Sequence, residues 1–251
     1  MRIALISDIH GNAVALEAVL ADIARVGADQ VICLGDVATL GPEPQSSIES
    51  VRKLACPCIL GNHDEFLLDP GLIETYTDAQ VVVESVNWCR AQLAAKELEF
   101  FRTFQPSLKI RMDESATLLL YHGSPKSNMH DILVTTPPDE LDDLLGGEHA
   151  TVMAGGHTHV QMLRQHMGTL IVNPGSVGLP FEAFVAGAAP TLLPTYAEYA
   201  TVEAGGGSVS VDLRRVAVDV DALRRAVQAS DVPLRDFLLE QYDAAIGEGV
   251  S

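Results

Sequence analysis

Short apolar runs that stop at a glycine or a polar residue recur along this chain, separated by stretches whose apolar residues fall at helical spacing. The first run, Ile3 to Ile6, is partly β-branched and ends at Ser7-Asp8, which predicts a buried strand delivering Asp8 and His10 at its carboxyl end. Residues two apart on extended backbone share a face. Beyond Gly11, Asn12 is the expected N-cap of a helix in which Val14, Leu16, Val19, Leu20, Ile23 and Val26 recur until Gly27 stops it.

The same handover repeats. Val31 to Leu34 precedes Gly35-Asp36, Cys58 to Leu60 precedes Gly61-Asn62-His63-Asp64, and Leu118 to Tyr121 precedes His122-Gly123. Thr151 to Ala154 leads into Gly155-Gly156-His157-Thr158-His159, and Leu170 to Val172 into Asn173-Pro174-Gly175-Ser176. A helix is predicted over Val86 to Phe104, with Trp88, Leu93, Leu98 and Phe101 on one face and Pro106 ending it. Later, Glu198 to Val202 and Ser208 to Val218 flank Ala204-Gly205-Gly206-Gly207 and predict a hairpin. Val220 to Val227 and Leu234 to Tyr242 predict two terminal helices broken at Asp231-Val232-Pro233. Phe181 to Pro194 is a loose Ala/Gly/Pro segment, expected to be a mobile loop.

Alternating strands and helices define an α/β fold. The 251 residues admit one large domain or two small ones, and with no internal repeat or low-complexity linker we expect one domain over 1–251. α/β sheets gather ligands beyond the carboxyl ends of their strands, so polar residues scattered in sequence are expected to converge in space. Composition adds exclusions. The formal charge of −18, from 34 acidic and 16 basic residues, repels polyanions and argues against extended nucleic acid as a partner. A small anionic substrate remains compatible, because bound divalent cations reverse the local sign.

Cys33, Cys56, Cys58 and Cys89 follow no disulfide or zinc-ribbon spacing and receive no function. The opening MRIALISDIH has too short an apolar run for a signal peptide, and no stretch reaches the ~20 apolar residues of a membrane span. The expectation is a cytoplasmic protein without a membrane partner; a homo-oligomer is compatible.

Asp8, His10, Asp36, Asn62, His122, His157 and His159 supply two carboxylates, one amide oxygen and four imidazoles at strand ends. That exceeds what one ion uses while leaving room for substrate, so two divalent metals are expected. Oxygen and nitrogen donors without thiolate suit Mn first, with Fe, Zn, Ni, Co or Mg as alternatives. Such a pair, ~3.5–4 Å apart, serves in-line displacement on phosphorus. His63 is the expected general acid for the leaving alkoxide, with Asp64 orienting its imidazole. His130, His149 and His166 match no block, and Lys126 and Asn128 read as loop residues, Lys126 being the first cation to consider for substrate.

Taken in order, DIH, GD, GNHD, HG and GHTH resemble the motifs of the calcineurin-like metallophosphoesterases, over residues 1 to about 180. NPGSVG and the GP shortly after GD are similar to the small bacterial and archaeal phosphodiesterase-like branch. The resemblance implies a four-layer α/β/β/α sandwich, two mixed β-sheets face to face with helices outside. It also implies that Asp8, His10 and His159 bind one metal, that Asn62, His122 and His157 bind the other, and that Asp36 bridges them. A hydroxide between the ions would be the nucleophile and His63 the catalytic acid. The Asp-Arg-Gly that follows GD in protein phosphatases and in dinucleoside tetraphosphate hydrolases is absent, and GNHD replaces GNHE. The expected activity is hydrolysis of a small phosphoester, with a dinucleoside polyphosphate hydrolase or protein phosphatase as nearer alternatives. A non-catalytic metal-binding scaffold for a protein partner is the alternative from another class.

Overall fold

Strands with apolar residues at consecutive positions have no face to give to solvent and must be covered on both sides. The computed structural model, which describes residues 1–184 and 190–248, arranges the chain in that way. In chain order its elements are β1 (Arg2–Ile6), α1 (Ala13–Val26), β2 (Gln30–Cys33), α2 (Pro44–Leu54), α3 (Asn62–Leu68), α4 (Ile73–Tyr76), α5 (Gln80–Ala91), α6 (Ala95–Phe101) and β3 (Leu108–Arg111). There follow β4 (Thr117–Leu120), α7 (Pro138–Leu145), β5 (Val152–Ala154), β6 (Met162–His166), β7 (Thr169–Asn173), β8 (Tyr196–Gly205), β9 (Ser208–Ala217), α8 (Val220–Gln228) and α9 (Arg235–Glu248).

The strands form two sheets, of order β2-β1-β8-β9 and β3-β4-β5-β7-β6. Both are mixed. β1 runs parallel to β2 and antiparallel to β8, while the parallel trio β4, β5, β7 carries antiparallel β3 and β6 at its edges. Alternation along each strand then sorts side chains into layers. Ile3, Leu5, Ile32, Leu118, Leu120, Val152, Ala200 and Val202 fill the space between the sheets. Ala4, Ile6 and Cys33 face outward against Leu16 and Val19 of α1 and Ile48 of α2. Leu119 and Met153 face the opposite way, against Leu141 and Leu145 of α7. The molecule is therefore an α/β sandwich of two mixed sheets flanked by helices, and β8 brings the C-terminal hairpin into the first sheet beside β1.

Local signals act where the sequence places them at α1. The Asn12 side chain accepts from the Ala15 N–H, and Gly27 ends the helix at φ 82°. Elsewhere the structure differs from expectation. Cys58 to Leu60 is not a strand but makes two single bridges, Cys33 with Cys58 and Ile59 with Gln105. Pro57 has no N–H to extend a ladder, and the chain enters α3 directly after Gly61. The helix expected over Val86 to Phe104 is two, α5 starting earlier and α6 starting anew where the Glu97 carboxylate accepts the Ala94 N–H. Leu93, Leu98 and Phe101 still enter one core, so the apolar spacing carries no mark of the break. In the segment expected to be a mobile loop, Phe181 bridges to Leu192, and residues 185–189 lie outside the described residues. None of the described helices is long and apolar enough to cross a membrane.

Leu5 is fully buried between the sheets, so Leu5→Ala should lower stability by about 2–5 kcal/mol, whereas Leu163→Ala, at a residue 46% exposed, should stay within about 0.5 kcal/mol. Urea unfolding of the two variants checks the contrast.

Candidate metal centre

Five of the seven expected ligands sit in left-handed backbone: Asp8 (φ 55°), His10 (47°), Asp36 (57°), His157 (71°) and His159 (58°). Each such non-glycine residue costs of order 1 kcal/mol and persists only where its surroundings over-determine it. Hydrogen bonds between strand exits do that. The N–H groups of Asp8, His10 and Gly11 donate to the carbonyls of Gly35, Asp36 and Val37 at 3.0, 2.9 and 2.9 Å, tying the turn after β1 to the turn after β2. Gly156 N–H donates to the His122 carbonyl, and Val177 and Gly178 donate to Ser7 and Asp8. Packing is close enough that a Cβ at Gly61 would strike the Asp36 carboxylate, and one at Gly156 would strike Ser7 Oγ.

All seven residues converge and are buried. Asp8, His10 and His159 form one group of ligand atoms and Asp36, His122 and His157 another, each within 4.8 Å. Asn62 joins the second, its Oδ1 lying 3.0 Å from His122 Nε2 and 3.1 Å from His157 Nδ1. Asp36 Oδ2 lies 3.3 Å from His122 Nε2 and 3.7 Å from His10 Nε2, so one oxygen reaches both groups.

The chemistry of the donor set fits cations. His122 and His159 donate from Nδ1 to the backbone carbonyls of Leu34 (2.7 Å) and Leu179 (2.8 Å), which leaves Nε2 of each as a lone pair facing the site when the ring is neutral. His10 Nε2 and His159 Nε2 stand 3.0 Å apart, and Asp8 Oδ1 is buried without a hydrogen-bond partner among the described residues. Acceptors that face acceptors at this range repel unless a positive charge lies between them. A proton can play that part: burial alone would lower His122, but the Asp36 carboxylate, helped by Asp8, overrides it and holds the imidazolium up to about 10. Burial raises Asp8, yet His159 and His122 bring it down to about 2. Asp36 follows the same pattern and falls well below the usual carboxylate range. Burial and the neighbouring His159 take His10 down to about 3, against the pull of Asp36.

The role expected for Asp64 is corrected. Its Oδ2 accepts the N–H groups of Asp36 (2.8 Å) and Gly61 (3.1 Å), and its Oδ1 that of Val37 (2.9 Å), so the carboxylate clamps backbone rather than orienting an imidazole. Burial and Asp36 push it up to about 7, against those amides. His63 instead has Thr39 Oγ1 at 2.9 Å from its Nδ1. Burial and the nearby imidazoles lower His63 to about 4, with Asp36 pulling it up.

Sequence reasoning missed four neighbours of the site. Thr39 lies under His10 and His63; Asp131 Oδ1 is 3.3 Å from His157 Nε2; Phe181 stacks on His159 at 4.3 Å; and Tyr76 stands 6.2 Å from His157 and 6.3 Å from His63. Thr39, Asp131 and Phe181 come from turns or loops and Tyr76 from the end of the short α4, with no apolar run to announce any of them. Lys126 lays its stem against Gly146, and Asn128 donates to Glu65 at 2.9 Å. His130 meets Ser124 and His166 pairs with Asp142, both apart from the ligand groups.

An α/β sandwich with two buried groups of ligand type at its strand ends is the arrangement of a metal-binding protein. Residues 1–192 match the calcineurin-like phosphoesterase superfamily domain, and the chain belongs to that superfamily. A metallophosphoesterase from Sphaerobacter thermophilus is similar in structure at a TM-score of 0.73, with 26% identity over 97% of this chain and 99% of that one. A hypothetical protein from Pyrococcus horikoshii shares the fold at a TM-score of 0.79, with 19% identity over 95% and 96% of the two chains. An uncharacterised protein of Methanocaldococcus jannaschii is 29% identical over 196 residues, 71% of this chain and 76% of that relative.

Ligation at His122 requires loss of the proton that Asp36 holds there. Divalent metal affinity should therefore rise with pH across the neutral range, by about tenfold per pH unit for one proton released. Isothermal titration of the metal-free protein with Zn in buffers of different ionisation heat should count that proton.

Proposed function

We propose that this protein hydrolyses a small phosphoester with two divalent cations, one held by Asp8, His10 and His159, the other by Asn62, His122 and His157, with Asp36 between them. Two such cations, when bound, supply water activation near neutral pH and neutralise charge on a phosphoryl group during in-line displacement. Manganese is the ion we assign first, on the mixed oxygen and nitrogen donors without thiolate.

The observation that carries this reading is His63. It is buried beside the ligands, its ring edge-to-face with that of His10 at 5.1 Å, yet it joins neither ligand group. Nδ1 is anchored on Thr39, and Nε2 makes no hydrogen bond to a described residue. An imidazole so held presents one nitrogen to a leaving oxygen, which a purely metal-holding scaffold does not need. Neutral imidazoles serve as electrophiles in other enzymes, so burial of His63 is compatible with the role. Asp64 acts one step back, by fixing the turn from which Asp36 projects. Tyr76 and Phe181 wall the site on the sides of His157 and His159 and suit the organic part of a small ester better than an extended polyanion.

With Mn present, bis(p-nitrophenyl) phosphate should be cleaved by the wild type and not detectably by Asp36→Asn. His63→Ala should keep its metal and lose about 10²–10⁴-fold in kcat on methyl phenyl phosphate, with a smaller loss on the p-nitrophenyl ester, whose leaving group needs less help. Metal analysis alongside steady-state kinetics checks both. An Asp36→Asn variant at full rate would end the dinuclear reading, and an unaltered His63→Ala would remove the general acid.

A further inference from the structure

The hydroxyl of Thr39 lies between a ligand and the acid. Thr39 is fully buried in the turn after Asp36, with Oγ1 3.4 Å from His10 Nδ1 and 2.9 Å from His63 Nδ1, and it makes no other side-chain hydrogen bond to a described residue. A hydroxyl has one hydrogen to give and two lone pairs. His10 turns Nε2 toward the ligand groups, 3.0 Å from His159 Nε2, 3.7 Å from Asp36 Oδ2 and 3.9 Å from Asp8 Oδ1. With Nε2 committed to a cation, the His10 hydrogen sits on Nδ1 and points at Thr39, occupying one of its lone pairs. The Thr39 hydrogen then has His63 Nδ1 as its acceptor. A neutral imidazole carries a single N–H, so a His63 that accepts at Nδ1 must carry its hydrogen at Nε2.

We propose that Thr39 is the positioning residue that sets the tautomer of His63, holding the hydrogen on Nε2, the nitrogen without a protein partner, and linking that tautomer to cation binding through His10. This rests on the function proposed above. Thr39 passes on a donor where a carboxylate at the same place would only accept. An acceptor there would draw the hydrogen of a neutral His63 to Nδ1 and leave Nε2 without one. The side chain touches neither substrate nor reacting atoms; it acts through His63.

Thr39→Val keeps the shape and removes the hydroxyl, and Thr39→Ser restores it. In the zinc-loaded protein, nitrogen NMR of the imidazoles should report His63 as the Nε2–H tautomer in the wild type and in Thr39→Ser, and a gain of Nδ1–H in Thr39→Val. In kinetics with Mn, Thr39→Val should lower kcat for methyl phenyl phosphate about tenfold more than for methyl p-nitrophenyl phosphate, because charge on the poorer leaving group depends more on the hydrogen bond that Nε2–H donates to the departing oxygen; KM should stay level and Thr39→Ser should recover both rates. Should Thr39→Val not fold, Thr39→Asp carries the same test and should give Nδ1–H. An unchanged tautomer in the variant, or equal losses on the two esters, would overturn the proposal. A wild type that binds zinc and cleaves neither ester would end the proposed function instead, while the NMR comparison would still decide the role of Thr39.

Discussion

The grip of one buried carboxylate on three backbone amides underlies the rest of the site. Asp64, at the start of α3, accepts the N–H groups of Gly61, Asp36 and Val37, and Asp36 returns a bond by accepting the His63 N–H at 2.9 Å. The exit of β2 and the entrance of α3 are thereby locked together. Charge-assisted bonds of this kind offset the cost of burying a carboxylate, and an apolar or amide replacement leaves amides without an equal acceptor. Without the lock, Asp36 Oδ2 has no fixed place between the two groups, Asn62 has no fixed place beside His122, and Thr39 has no fixed place under His63.

What the lock maintains is a strained and self-repelling arrangement. Five of the expected ligands in left-handed backbone and imidazole nitrogens 3.0 Å apart each oppose folding. They are held by the two-sheet core beneath them, whose side chains on β1, β2, β4, β5 and β7 have no polar demands of their own. Stability is concentrated between the sheets and expended at their edge, as expected where a site must be rigid before its ligand arrives. Cation binding would relieve the repulsion, so affinity would draw on strain that folding has already met.

The expected ligands were legible because each lies at or just beyond the end of an apolar run, and α/β sheets bring such positions together in space. Asp64 was misread for a physical reason. Its sequence neighbour is His63, but both lie on α3, where residues one apart do not face each other, so adjacency in sequence pointed away from contact in space. Thr39, Asp131, Tyr76 and Phe181 carry no local signal at all. Their places arise from which turns and helix ends the fold brings together, and a single chain of letters does not contain that distance. The break between α5 and α6 escaped for the opposite reason, since both helices feed one core and preserve the apolar rhythm across it.

Charge completes the picture. Among the described residues no lysine or arginine bonds to any of the seven donors, and Asp131 adds a further carboxylate beside His157. The chain as a whole carries −18. In the metal-free state such a pocket is set to repel an anionic ester. Two divalent cations would reverse the sign at the point where a phosphoryl group must sit, while the surrounding surface continued to repel long polyanions. On the proposed function, substrate entry would depend on metal loading, and the same excess of acidic residues would disfavour extended nucleic acid.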